Sequence, residues 1–141
     1  MTTSDLLACL NGDVSDQDWR RLEASDPGLV ISRWNRQTLL RMRGFQPDGA
    51  DVDDRRVEAM ERTLSRFLDR HMADQPEGHR WILLSCLFLA FIAREPLHPG
   101  EIVHHRPSME GGRVVHRCPA REDAPDSLCR FCVCQSAREE A

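Results

Sequence analysis

The segment from residue 81 to residue 93 constrains the fold of this chain more than any other. It reads Trp-Ile-Leu-Leu-Ser-Cys-Leu-Phe-Leu-Ala-Phe-Ile-Ala and would be apolar on every side of a helix. Such a helix is stable only when other elements surround it, so it belongs at the centre of a bundle. It is also far shorter than the roughly 20 residues that span a bilayer. The segment therefore predicts the central helix of a helical bundle.

Two short helices are predicted near the start of the chain. The first covers residues 5–10, is capped at Ser4 or Asp5, and stops at an Asn-Gly pair. The second begins after Ser15, where Ser15 and Asp18 have the spacing of a capping box. Both are short enough to need packing against the rest of a bundle.

Two longer helices are predicted between these and the central helix. A loose apolar spacing over 29–43 predicts a helix that ends at Gly44. The next segment has the clearest periodicity in the chain, with side chains at steps of three and four: Val57, Met60, Leu64, Phe67, Leu68 and His71. The Pro-Glu-Gly sequence at 76–78 then predicts a break before the central helix.

From Pro96 onward the chain is rich in His, Pro, Gly and Cys and has no helical periodicity. Ile102-Val103 and residues 113–116 predict short strands, and Glu110-Gly111-Gly112 predicts the turn before the second one. The predicted fold class is therefore mainly α. A bundle of four or five helices occupies residues 1–95, and a cysteine-rich appendage of a short β-hairpin and loops occupies 96–141.

Length and composition predict one compact domain in the cytoplasm. A chain of 141 residues can bury its own core, so the appendage is expected to pack on the bundle. The net charge is −4, and the chain contains arginine but no lysine, which excludes lysine nucleophiles. The first residues carry no positively charged, apolar leader, so neither secretion nor membrane insertion is expected. In a reducing cytoplasm, clustered cysteines act as ligands or redox groups more often than as disulfides.

Four of the six cysteines fall within 17 residues of the appendage, at Cys118, Cys129, Cys132 and Cys134. A loop-rich segment with little core needs another constraint, and a thiolate-bound metal ion can supply it. The Cys129-x2-Cys132 pair can reach one tetrahedral ion, and Cys118 can supply a third sulfur. The fourth ligand is open between Cys134, His98 and His116. Zinc is the favoured metal, and an iron–sulfur cluster is the alternative.

The remaining two cysteines are interpreted differently. Cys86 lies inside the apolar central segment, and Cys9 lies in the first short helix. Both are predicted to be buried, inert thiols of the core. Near the cluster, Arg117, Arg121 and Arg130 can offset the negative charge of a thiolate site.

Residues 95–135 resemble an uncharacterised archaeal family of unknown function that is found mainly in methanogens. The shared elements, in order, are His98-Pro99, Gly111-Gly112, Cys118-Pro119 and the sequence Cys-Arg-Phe-Cys-Val-Cys from Cys129 to Cys134. The chain departs from the pattern in having Pro99-Gly100 directly after His98. The resemblance implies a metal site on the four matching cysteines and an archaeal cytoplasm, where anaerobic conditions favour iron–sulfur chemistry. It implies no particular reaction.

These features favour a metal-binding accessory protein whose structural zinc site shapes a surface for a partner protein. The sequence contains no catalytic arrangement of residues, which favours a non-enzymatic role. The alternative is an iron–sulfur or thiol redox protein that uses Cys129, Cys132 and Cys134, although no thioredoxin-like alternation of strand and helix surrounds them. Nucleic-acid binding ranks last because acidic residues dilute the basic ones of the appendage.

Overall fold

The computed structural model describes residues 1–24, 30–97, 106–118, 121 and 127–136, which form a helical bundle with a small sheet at its C-terminal end. The described helices are α1 (Thr3–Gly12), α2 (Asp16–Ala24), α3 (Val30–Arg43), α4 (Asp54–His71) and α5 (Pro76–Leu87), with a π-helical segment (Phe88–Ala93) after α5 and a 3-10 helix (Leu128–Phe131). The strands are β1 (Arg106–Glu110), β2 (Arg113–Cys118) and β3 (Gln135–Ser136). The mainly α fold class with a C-terminal hairpin is therefore confirmed.

The apolar segment at 81–93 lies at the centre of the bundle, as predicted. None of its residues is exposed, and Phe88 and Leu89 are fully buried. Helix α5 packs against α3 and α4, and the π-helical segment packs against α1. No helix in the described ranges is both long and apolar enough to cross a membrane.

The predicted break at 76–78 is wrong, because these residues form the first turn of α5. Pro76 occupies the first helical position. A proline is well tolerated there, since its missing N–H would have no partner within the helix and its fixed φ angle suits the first turn.

Helix α4 follows the predicted periodicity over most of its length. Its buried side chains are Val57, Met60, Leu64 and Leu68. Phe67 and His71 are exposed instead, and their ring centres lie 4.5 Å apart with the ring planes tilted by 46°. Phe67 lies at the edge of the apolar stripe and His71 is the last residue of the helix, so both were misassigned to the buried face.

The caps of the first two helices are formed by reciprocal hydrogen bonds. For α1 the capping residue is Thr2, whose hydroxyl accepts from the Asp5 N–H while the Asp5 carboxylate accepts from the Thr2 N–H. The predicted cap at Ser4 or Asp5 is therefore wrong by two or three residues. The second capping box is confirmed, because Ser15 and Asp18 exchange the same pair of bonds.

The predicted turn between two strands is confirmed. Strands β1 and β2 are antiparallel, and Gly111 and Gly112 connect them with φ angles of 56° and 78°. A two-residue hairpin turn with positive φ at both positions strongly favours glycine. The strand predicted at 113–116 extends to Cys118, and the one predicted at 102–103 lies outside the described residues.

An aromatic ring of the C-terminal segment is buried in the core of the bundle. Phe131, at the end of the 3-10 helix, is 6% exposed and belongs to the main core cluster. Its ring lies 6.4 Å from that of Phe91, and the 3-10 helix packs against α4. The cysteine-rich segment is thus held against the bundle by burial of apolar surface.

Candidate metal centre

The four clustered cysteines line one cavity of about 40 Å³. Cys118 is the last residue of β2, Cys129 lies in the 3-10 helix, Cys132 follows that helix, and Cys134 precedes β3. The other described residues of its wall are Leu97, Leu128 and Arg121. Cysteines that are up to 16 positions apart in the sequence therefore line the same space.

Two local structures bring the cysteines together. The Ser127 hydroxyl accepts from the Cys129 N–H at 3.1 Å, and the Cys132 N–H donates to the Cys129 carbonyl at 3.1 Å, which closes a turn around the Cys-x2-Cys pair. Strand β3 then pairs in parallel with the end of β2, with Cys118 opposite Ser136. This pairing sets Cys134 beside the strand that ends in Cys118.

Negative charge on the sulfur atoms is unfavourable in this cavity without a cation. The thiols of Cys132 and Cys134 share a hydrogen bond, and this bond is the largest cause of a raised pKa at Cys134. Burial and the charges of Cys132 and Cys118 raise the same pKa further, while the guanidinium of Arg121 lowers it. Close thiols that must ionise together need a positive charge between them.

Arg121 also shapes the cavity wall. Its Nη1 donates to the carbonyl oxygens of Cys134 at 2.5 Å and Cys132 at 3.4 Å. The sequence suggested Arg121 only as a nearby charge. Its bonds to two backbone carbonyls have no sequence signal, because they depend on how the chain folds back after Cys118.

The sulfur atoms do not have the arrangement of bound ligands. Within the described ranges, no group of three or more His, Cys, Asp or Glu side chains is placed to hold a metal ion. Of the alternative fourth ligands, His98 lies outside the described residues. His116 is half-buried on β2 and is not among the described residues that line the cavity.

A fifth cysteine lies near this site on the bundle side. Cys86 packs against the core from α5, and burial, followed by the charge of Cys132, raises its pKa to about 12. The prediction of a buried, inert thiol is right about its place against the core, but the Cys86 side chain is only partly buried. Its proximity to Cys132 has no signal in the sequence. For Cys9 the prediction is wrong, because α1 turns Leu6, Leu7 and Leu10 inward and leaves Cys9 exposed.

Residues 30–137 match a family described as an uncharacterized protein conserved in archaea, DUF2115. The chain belongs to this family. The matched region runs from α3 to β3 and contains all four clustered cysteines. It is wider than the resemblance seen in residues 95–135, because it also includes α4 and the central helix.

A similar curated protein is the UPF0305 protein MJ0646 of Methanocaldococcus jannaschii. It is 32% identical over 96 aligned residues, and the alignment covers 63% of this chain and 56% of the relative. The chain therefore corresponds to little more than half of that protein. No solved structure matches the chain. The predicted relationship to an uncharacterised archaeal family with methanogen members is confirmed.

Proposed function

We propose that the protein is a cytoplasmic, metal-binding accessory protein that holds one structural zinc ion and docks a partner protein. The proposed ligands are Cys118, Cys129, Cys132 and Cys134. The observation that supports this proposal is their convergence on one cavity in the part of the chain with the least apolar core. Thiolates are preferred ligands of zinc, and a structural zinc site can fix a segment that lacks its own core.

The size of the cavity favours a single ion over a cluster. Its volume of about 40 Å³ exceeds the roughly 10–15 Å³ that one water molecule needs, but only by a small factor. Four sulfurs bound at about 2.3 Å would lie roughly 3.8 Å apart around a tetrahedral ion. Closing on the ion would require the turn from Ser127 to Cys134 to tighten. The positive charge would offset the repulsion from Cys132 and Cys118, which adds to the hydrogen bond with Cys132 and the burial that raise the pKa of Cys134.

The proposed role of the zinc is mechanical. It would tie the end of β2, through Cys118, to the turn that contains Cys129 and Cys132. Arg121 already links this turn by its bonds to the carbonyls of Cys132 and Cys134, and its charge would balance part of the thiolate charge. Zinc binding would thereby fix the position of the hairpin relative to the bundle.

The exposed face of that hairpin supports the docking part of the proposal. Met109 and Val114 lie directly opposite each other in the β1–β2 ladder and are 68% and 59% exposed. Adjacent exposed apolar side chains on a hairpin are typical of contact surfaces. Because β2 ends at Cys118, the metal site would hold this surface in place.

The first experiment is metal analysis with an absorption spectrum on protein purified without oxygen. One zinc per chain and no visible absorbance would support the structural site. If the protein instead contains iron and sulfide and absorbs broadly in the visible range, the site holds an iron–sulfur cluster, and the alternative hypothesis of a redox protein is favoured. Protein that binds no metal even after zinc is added would overturn the proposal.

Single cysteine variants test the ligands. Cys129→Ser and Cys132→Ser should lose the metal and have a lower melting temperature, because structural zinc sites contribute folding free energy. Cys9→Ser is the matched control, since Cys9 is exposed on α1 and does not line the cavity. Full metal content in both Cys129→Ser and Cys132→Ser would contradict the ligand assignment.

Site-specific photocrosslinking tests the docking surface. A photoreactive residue at position 114 should give one defined protein adduct in cells, whereas one at the exposed Arg20 of α2 should not. The adduct at position 114 should weaken when Cys129→Ser is added, because the hairpin would lose its anchor. Equal adducts at the two positions would show that the hairpin is not a specific docking surface.

A further inference from the structure

A second, open cavity of about 290 Å³ lies where the 3-10 helix meets α4. Its walls contain three arginines, one aromatic ring and one small side chain: Arg55, Arg56, Ala59, Arg130 and Phe131. The three arginine side chains are exposed, and they come from two elements that are far apart in the sequence. We call this space the arginine cavity.

Two of these arginines are held in defined positions. Arg56 donates from Nη2 to the Arg130 carbonyl at 3.2 Å, and its guanidinium lies 5.9 Å from the Phe131 ring centre. Arg130 donates from Nη2 to the Thr63 hydroxyl at 2.9 Å and lies 4.5 Å from the same ring. Both cations are thus placed around Phe131 before any ligand binds, which reduces the entropy cost of binding.

Arg55 and Arg56 carry positive charge into the cavity from the first turn of α4. Neither Arg55 nor Arg56 forms an ion pair with an acidic residue in the described part of the chain. The acidic side chains at the start of α4 have other partners. Asp53 accepts from the Arg55 backbone N–H, and Asp54 pairs with the amino group of Met1.

We propose that the arginine cavity binds a phosphate monoester group. Each guanidinium can present two parallel N–H donors to a phosphate. A cluster of several arginines also suits a doubly charged phosphate better than a singly charged carboxylate. The cavity is close to the lower size limit of small-molecule sites, so it suits one phosphate group with a small attached moiety. This binding site is distinct from the proposed zinc site, although both include residues of the 3-10 helix or the turn after it.

The test is a calorimetric titration of the full chain with inorganic phosphate at constant ionic strength. We expect saturable binding with a Kd at or below about 1 mM. Binding should strengthen from pH 6 to pH 8, because inorganic phosphate loses its second proton within this range. Arg55→Gln and Arg56→Gln should each weaken binding about tenfold or more. Arg66→Gln is the control, because Arg66 is an exposed arginine of α4 outside the cavity.

Circular dichroism melts would establish that each variant is folded. Unchanged phosphate affinity in Arg55→Gln and Arg56→Gln, or an equal loss in Arg66→Gln, would overturn the proposal. So would acetate binding as tightly as phosphate. The source of the phosphate is then resolved by comparing adenosine 5′-monophosphate with a 5′-phosphorylated oligonucleotide. Tighter binding of the first indicates a free phosphate ester, and tighter binding of the second indicates a nucleic-acid end.

Discussion

Replacing Phe131 with alanine should destabilise the whole protein, because this ring anchors the C-terminal segment in the core. Phe131 is 6% exposed and packs against Phe91. Phenylalanine to alanine changes in cores cost about 3–5 kcal/mol. Loss of the contacts with Arg56 and Arg130 adds roughly 0.5–1 kcal/mol each. For a domain of this size the melting temperature should fall by roughly 15–25 °C.

The assay is thermal and urea unfolding followed by circular dichroism, with Phe67→Ala as the matched control. Phe67 is 49% exposed on α4, so its removal should change the free energy of unfolding by less than about 1 kcal/mol. A loss below about 1 kcal/mol for Phe131→Ala would refute the reasoning. The C-terminal segment would then contribute little to the stability of the bundle, and the metal centre could not be held against it through this ring.

Three further predictions concern local features. Ser15→Ala should lower the free energy of unfolding by about 1 kcal/mol by removing one half of the α2 capping box, as urea unfolding would show. Gly112→Ala should cost about 1–2 kcal/mol because φ is 78° there, and hydrogen exchange should localise the change to the hairpin; an unchanged hairpin would contradict this. Asp18 accepts hydrogen bonds from the Ser15 N–H, the Ser15 hydroxyl and Arg80, which hold its pKa below 3.8. Its contribution to stability is therefore complete above the pKa of the unfolded state and is lost as the pH falls below about 4. When the free energy of unfolding is measured against pH, Asp18→Asn should lose less stability than the unchanged protein as the pH falls below about 4.

Much of the helical fold could be predicted from the sequence because periodicity directly reflects burial. The apolar run at 81–93 and the Ser15–Asp18 capping box both lie where local sequence and tertiary packing agree. The predictions fail where the local sequence and the tertiary packing disagree. Pro76 looks like a break but occupies the one helical position that suits proline. Phe67 fits the apolar stripe of α4, yet it lies at its edge and remains half exposed.

The candidate sites are harder to predict from the sequence than the helices, because they depend on contacts between distant segments. The spacing of Cys129 and Cys132 suggested a shared site, but only the parallel pairing of β3 with β2 brings Cys134 next to Cys118. The arginine cavity has no sequence signal at all. Its residues come from the first turns of α4 and from the 3-10 helix, and the fold alone brings them together.

The 3-10 helix and the turn after it connect the two sites, because successive residues face different surroundings. Cys129 and Cys132 line the thiol cavity, Arg130 reaches α4 through the Thr63 hydroxyl, and Phe131 enters the core between them. Most residues of the bundle core lie outside the thiol cavity, so we expect the bundle to remain folded when no metal is bound. Tightening of Cys129 and Cys132 around an ion would act directly on Phe131, which lies between them in the chain. The metal would therefore stabilise the docking of the C-terminal segment on the bundle rather than the bundle itself.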